Sequence, residues 1–103
     1  MNKKIALLIV DDEESVRDSL YNWFLEDGFS AACADSAASA LAMIESKDFD
    51  IILTDIKMPG MDGLELLRRI KAIKKDAIII IMTAFATVDT AVQALKDGAF
   101  DYV

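Results

Sequence analysis

The chain has 103 residues, 54% of them hydrophobic, and its 18 acidic and 11 basic residues give a formal net charge of -7. This length predicts one domain with a packed core, and the acidic balance argues against direct contact with nucleic acid. The absence of histidine excludes imidazole catalysis and a histidine metal site, and the single cysteine excludes an internal disulfide.

The sequence also predicts where the protein works. No apolar run approaches the roughly 18 residues that a membrane span requires, and the N-terminus lacks the pattern of a signal peptide. The lone Cys33 suits a reducing compartment. We therefore expect a cytoplasmic protein without membrane contact, whose first domain starts at Met1.

The first half of the chain alternates predicted strands and helices. Residues 5–10 form a continuous apolar run, which predicts a strand covered on both faces. Acidic residues 11–14 follow and favour the first turn of a helix, which ends at Gly28. Its apolar spacing predicts a buried stripe of Val16, Leu20, Trp23 and Phe24. Residues 29–34 then predict a second, weaker strand.

A second helix is predicted to begin at Ser36, whose hydroxyl suits an N-cap. Its inward face is expected to contain Ala37, Ala40, Leu41 and Ile44. Residues 50–54 predict the third strand, and Asp55 follows it directly. Pro59 and Gly60 then turn the chain.

The second half continues the alternation. The third helix is predicted to bury Leu64, Leu67 and Ile70. Residues 78–82 are fully apolar, which predicts a fourth, central strand. Residues 83–86 are expected to form a loop, and Thr87 to cap a fourth helix. The inward face of that helix is predicted to contain Val88, Ala91, Val92 and Leu95. Residues 99–103 begin a fifth strand.

Strands that alternate with helices predict an α/β fold, a doubly wound five-stranded parallel sheet of the flavodoxin-like order 2-1-3-4-5. Only four helices are predicted, so the final helix is absent and part of one sheet face is expected to lie bare. We therefore expect either that a partner chain covers this face or that the protein continues past Val103.

Four polar side chains follow three strands that are neighbours in such a sheet. Asp11 and Asp12 end the first strand, Asp55 the third and Thr83 the fourth. Two carboxylates about 4 Å apart repel each other by roughly 4 kcal/mol at an effective dielectric constant near 20. A hard divalent cation removes this conflict, and Mg²⁺ fits best because it accepts carboxylates, a carbonyl and waters while leaving room for a phosphoryl oxygen.

Such a site predicts phosphoryl chemistry. A carboxylate can attack phosphorus and form an aspartyl phosphate, with Thr83 among the donors that neutralise its charge. Each residue has a plainer interpretation, because acids after strands are often helix caps, Asp55 could be a turn residue and Thr83 could simply end a strand. The prediction rests on their joint arrival at one edge.

These motifs together resemble the receiver domain of bacterial two-component response regulators, over all of residues 1–103. The acid pair Asp11-Asp12 matches the family, as do Asp55 with the Lys-Met-Pro-Gly-Met-Asp-Gly run that follows, the pair Thr83-Ala84, and residues 98–102. Residues 81–102 are similar to receivers of the NtrC type, whose output parts are an ATPase and a DNA-binding domain.

The resemblance implies a phosphorylation switch and not a metabolic enzyme. Asp55 would accept a phosphoryl group from a sensor histidine kinase, and Asp12, Asp55 and the backbone carbonyl of Lys57 would bind Mg²⁺, with Asp11 close by or bound through water. Thr83 would bond the phosphoryl group, and Tyr102 would be the aromatic side chain that turns inward on activation. The expected partners are the kinase, a second copy in a homodimer, and an output domain or protein that controls transcription.

The resemblance is incomplete in two ways. Receivers carry a lysine just past the fifth strand, and this chain stops two positions before that place; no other lysine has the family's context. The last helix of the fold is also missing. Two other functions stay open: a Mg²⁺-dependent phosphohydrolase that forms an aspartyl phosphate, although Lys57 stands where such enzymes of the haloacid-dehalogenase type carry a second acid, and a degenerate receiver that serves as an interaction module.

Overall fold

The computed structural model describes residues 4–83 and 88–103 of the chain. Within these residues, five strands alternate with four helices: β1 (Ala6–Val10), α1 (Glu14–Glu26), β2 (Ser30–Ala34), α2 (Ala37–Ser46), β3 (Ile51–Thr54), α3 (Gly63–Ile73), β4 (Ile78–Ile81), α4 (Val88–Lys96) and β5 (Asp101–Tyr102). The predicted loop at 84–86 and the predicted cap at Thr87 lie outside the described residues. No helix in the described ranges is long and apolar enough to cross a membrane.

All strand pairs are parallel, and the sheet has the order β2-β1-β3-β4-β5. The predicted doubly wound fold and its strand order are therefore confirmed. One row of paired residues crosses the sheet near the carboxyl ends of its strands and joins Ala34, Val10, Thr54, Ile81 and Tyr102. The residues that follow this row meet at one edge, where ligands bind in open parallel sheets.

Each face of the sheet has its own apolar core. On one face, side chains of β1, β3 and β4 pack beneath α2, α3 and α4, and Leu8, Ile52 and Ile79 are almost fully buried there. On the other face, Leu7, Ile9 and Leu53 pack against α1 through Leu20, Tyr21 and Phe24. Strand residues that alternate between two covered faces explain why the strands read as continuous apolar runs.

The face beneath α1 is only partly covered, as expected from the helix count. Within the described residues, α1 packs mainly over β2 and β1, while Ile78 on β4 is 38% exposed and Val103 after β5 is 60% exposed. By register, Ile78 and Ile80 point to the same face as Leu53.

The predicted inward face of α4 was wrong, and that of α1 was wrong at Trp23, whereas Leu20 and Phe24 pack against the core as predicted. Trp23 in α1 is 63% exposed and stacks on Phe24 at the surface. In α4, Val88, Val92 and Leu95 are exposed, and the fully buried residue is Ala94. The helix α4 packs against β5 and α3. Small side chains of α4 make these contacts, so its stripe of larger apolar side chains faces outward.

Candidate functional site

Asp55 stands immediately after β3, in the middle strand of the sheet. Its backbone N–H donates to the carbonyl oxygen of Val10 at 3.1 Å, so the acid is tied to the end of β1. Its side chain is half-buried, and Oδ1 accepts a hydrogen bond from the backbone N–H of Ile56 at 2.7 Å. The carboxylate is therefore held on a rigid support with part of its surface open to solvent.

The loop after β1 carries the other two acids. The backbone N–H of Asp11 donates to Ala34 at 3.2 Å, and its buried side chain accepts from the backbone N–H of Glu13 at 2.9 Å. Arg17 donates from Nη1 to the Asp11 carbonyl oxygen at 2.8 Å. Asp12 is exposed. Because Glu13 is the N-cap residue of α1, Asp11 and Asp12 are not helix caps.

The three acids form one cluster. Asp11, Asp12 and Asp55 each offer a carboxylate oxygen, and these three oxygens all lie within 4.8 Å of one another. The loops after β1 and β3 come together because the two strands are hydrogen-bonded neighbours in register, with Val10 opposite Thr54.

The electrostatics of the cluster are unfavourable without a cation. Burial raises the pKa of the Asp11 carboxyl; the hydrogen bond from Glu13 lowers it, and the nearby carboxylates of Asp55 and Asp12 raise it further. Like charges that are gathered and partly desolvated favour a neutralising ion. Three hard oxygen donors on a partly open edge are the set that Mg²⁺ accepts, so the residues present fit this ion.

The remaining predicted residues lie at or beside the same edge. Thr83 is half-buried two residues past β4, and its backbone N–H donates to Val103 at 3.1 Å. Lys57 lies in the loop between β3 and α3, with its side chain exposed. Tyr102 lies one strand further on, packs against the core under α4, and shares a hydrogen bond of 2.6 Å with Thr90.

Sequence reasoning gave no role to Arg17 or Thr90, and it placed Gly63 only in the run that follows Asp55, yet all three residues shape this edge. At Gly63, an added Cβ would lie 2.1 Å from the Asp55 carbonyl oxygen, so the start of α3 packs directly on the backbone of the acid. Asp62 caps α3 by accepting from the backbone N–H of Glu65 at 2.9 Å. A glycine directly after a helix cap, where a better helix former would be expected, was the available signal.

Comparison with known proteins identifies the family. Residues 7–103 match the model of the family described as "Response regulator receiver domain". Among curated proteins, the chain is similar to the regulatory protein AtoC of Escherichia coli, with 44% identity over 97 residues, covering 94% of this chain and 21% of that protein. It is also similar to the DNA-binding transcriptional regulator NtrC of the same species, with 42% identity over 95 residues, covering 92% of this chain and 20% of that protein. The chain thus spans about a fifth of these relatives.

A solved structure supports the same assignment. The response regulator TrrA of Thermotoga maritima, solved in complex with Mg²⁺ and beryllofluoride, superposes with a TM-score of 0.88 at 34% identity, covering 96% of this chain and 84% of that one. The same family is indicated by the fold, by the family match over residues 7–103 and by the similarity to the two regulators. The chain belongs to the response regulator receiver domain family of two-component systems and is similar to the receivers of NtrC-type regulators.

Proposed function

We propose that this receiver is a phosphorylation switch in which Asp55 accepts a phosphoryl group from a sensor histidine kinase. The observation that carries the proposal is the convergence of Asp11, Asp12 and Asp55, with carboxylate oxygens within 4.8 Å of one another. Asp55 is the best acceptor of the three because it ends the middle strand and is half-buried, whereas Asp11 is almost fully buried and Asp12 is exposed.

The transfer is a displacement at phosphorus. A carboxylate oxygen of Asp55 forms a bond to phosphorus while the bond between phosphorus and the kinase histidine nitrogen breaks, and the imidazole leaves and takes up a proton. Asp11, Asp12, Asp55 and the Lys57 backbone carbonyl would hold Mg²⁺, which when bound neutralises charge that develops on the phosphoryl oxygens. Thr83 would donate from its hydroxyl to the same group.

The switch would act through Thr83 and Tyr102. A phosphoryl group on Asp55 draws Thr83 toward it, and Tyr102 turns inward into the space that opens, which reshapes α4 and β5. Moving such an equilibrium from mostly off to mostly on requires about 5.5 kcal/mol of differential stabilisation. Charge-assisted hydrogen bonds to a phosphoryl group are strong enough to supply much of this.

The output is proposed from the relatives. AtoC and NtrC are named as regulators, and the chain spans about a fifth of each. We therefore propose that phosphorylation of this receiver controls an output domain or partner that regulates transcription, and that the exposed α4 stripe of Val88, Val92 and Leu95 contributes to a homodimer.

The proposal is tested by phosphorylation from a small acyl phosphate such as acetyl phosphate. We expect intact-mass measurement to find one phosphoryl group per chain when Mg²⁺ is present, and none when the metal is chelated or when Asp55→Asn is used. The control Asp76→Asn changes the same charge at an exposed position before β4, at the opposite end of that strand, and should be phosphorylated normally. Phosphorylation that persists in Asp55→Asn would contradict the assignment of the acceptor.

The phosphohydrolase alternative is less well supported. In that class the residue two positions after the nucleophile is an acid, and here it is the exposed Lys57. Catalytic turnover of a generic phosphate ester by this chain would favour that alternative, whereas a single stoichiometric phosphorylation event favours the switch.

A further inference from the structure

One hydrogen bond connects α4 to the sheet close to the proposed switch. Thr90 Oγ1 and Tyr102 Oη lie 2.6 Å apart, and either hydroxyl could donate. Both side chains are half-buried. Tyr102 belongs to β5, pairs with Ile81 of β4 and packs against the core on the α4 side of the sheet.

The bond holds the N-terminal half of α4. The C-terminal half is anchored differently, by the fully buried Ala94 and by Asp97 just past the helix, whose carboxylate accepts from Arg68 of α3 at 3.1 Å. Val88 is 79% exposed and Val92 is 46% exposed. Among the contacts that the structure describes, the Thr90–Tyr102 hydrogen bond therefore links β5 to the N-terminal half of α4.

The same bond lies one step from the acidic site. Thr54, Ile81 and Tyr102 form a single row across the sheet, and Asp55 follows the first of them. The backbone N–H of Thr83 donates to the carbonyl oxygen of Val103, the neighbour of Tyr102, at 3.1 Å. A displacement of Thr83 toward Asp55 would thus act on the backbone directly beside Tyr102.

We infer that Thr90 is a positioning residue that holds Tyr102 in its half-buried place and joins the inward rotation of that ring to a displacement of α4. The ring is half-buried, so an inward turn would bury it further and, with α4 in place, would carry its hydroxyl away from Thr90. The bond therefore opposes activation until α4 moves. This inference rests on the proposed function and names a control element of the same switch.

The first test needs no phosphate analogue. Incorporation of 3-fluorotyrosine into the full chain gives two ¹⁹F resonances, since Tyr21 and Tyr102 are the two tyrosines, and Tyr102→Phe assigns them. Thr90→Val keeps the β-branched shape and removes the hydroxyl, so we expect the Tyr102 resonance to move while Tyr21 stays. Thr90→Ser keeps a hydroxyl and should restore the original position of the resonance. An unchanged Tyr102 resonance in Thr90→Val would overturn the inference.

The second test measures coupling to the acidic site through the affinity for beryllofluoride in the presence of Mg²⁺. Loss of one hydrogen bond from the resting arrangement should raise this affinity by roughly two- to tenfold in Thr90→Val. Tyr102→Phe should give a similar gain, and the double variant should gain no more than either single variant, because both changes remove the same bond. Additive effects, or a lower affinity in Thr90→Val, would overturn the inference.

The two tests separate this inference from the proposed function. If the unmodified chain does not bind beryllofluoride at all, the proposed phosphorylation switch fails, while the fluorine spectra still report whether Thr90 positions Tyr102. If beryllofluoride binds and Thr90→Val behaves like the unmodified chain, the switch stands and the role of Thr90 is wrong.

Discussion

Replacing Asp11 by Asn should stabilise the metal-free protein and weaken its response to Mg²⁺. The substitution removes one negative charge from a cluster whose three carboxylate oxygens lie within 4.8 Å of one another. The Asn side chain can still accept the hydrogen bond that Glu13 donates to Asp11 at 2.9 Å, so the loop geometry is preserved. Repulsion is removed while local structure is retained, which makes this change a direct probe of the electrostatics.

The magnitude follows from Coulomb's law. Two unit charges 4.8 Å apart repel by about 3.5 kcal/mol at an effective dielectric constant near 20 and by about 1 kcal/mol in water. The repulsion between Asp11 and the exposed Asp12 should be near the lower value, and the repulsion between Asp11 and the half-buried Asp55 should lie between the two values. Subtracting about 1 kcal/mol for the weaker hydrogen bond to a neutral acceptor, we expect Asp11→Asn to raise the free energy of unfolding by about 1–3 kcal/mol.

The assay is urea unfolding with and without saturating Mg²⁺. The unmodified chain should gain stability from the ion, and Asp11→Asn should gain much less. The stability that Asp11→Asn adds should also fade at low pH. The pKa of Asp11 is raised in the folded chain, so the unmodified protein loses stability as pH rises through that pKa and regains it when the carboxyl is protonated.

Asp76→Asn is the matched control, because Asp76 is exposed and lies outside the acidic cluster. It should change neither the stability of the metal-free protein by more than about 0.5 kcal/mol nor the response to Mg²⁺. The reasoning would be refuted if Asp11→Asn destabilised the metal-free chain, or if both variants kept the full effect of the ion.

Three further predictions test other parts of the structure. Gly63→Ala places a Cβ 2.1 Å from the Asp55 carbonyl oxygen, so we expect a loss of about 1–3 kcal/mol from overpacking in urea unfolding, together with weaker Mg²⁺ binding; unchanged stability would contradict the close approach. Ser36→Ala removes the oxygen that accepts from the Ser39 backbone N–H at 3.1 Å and should cost about 0.5–2 kcal/mol, with Ser36→Asp retaining most of the stability. Burial raises the pKa of the Cys33 thiol, with a smaller opposing effect from Arg17. Since the thiolate is the reactive form, iodoacetamide should alkylate the folded chain more slowly than the urea-unfolded chain at the same mildly alkaline pH. Equal alkylation rates would show that the thiol is not protected.

The sheet could be predicted because its strands are short, apolar and separated by clear turns. Residues covered on both faces give continuous runs such as residues 7–10, and the alternation with helices leaves few topologies. Helix faces were less predictable. The stripe of Val88, Val92 and Leu95 has helical spacing, yet α4 rests on Ala94, because a spacing pattern identifies an apolar face without saying what covers it.

The acidic site could be predicted in outline for the same reason as the sheet. Once β1 and β3 are neighbours in register, the residues after Val10 and Thr54 must lie side by side. The contacts around the site depend on how loops and helices pack. The hydrogen bonds from Arg17 to the Asp11 carbonyl oxygen and between Thr90 and Tyr102 therefore could not be predicted from the linear sequence. The packing at Gly63 could have been suspected from the sequence, since a glycine is the first residue of α3.

The account depends on one claim, that Asp11, Asp12 and Asp55 bind a single divalent cation together. The most direct measurement is a Mg²⁺ titration of the isotope-labelled chain, followed through the carboxyl ¹³C resonances of these three residues. We predict that all three shift together along one binding curve that saturates at one ion per chain, and that Asp55→Asn weakens the shifts at the other two. Three independent curves, or shifts no larger than those of Asp76, would contradict the claim.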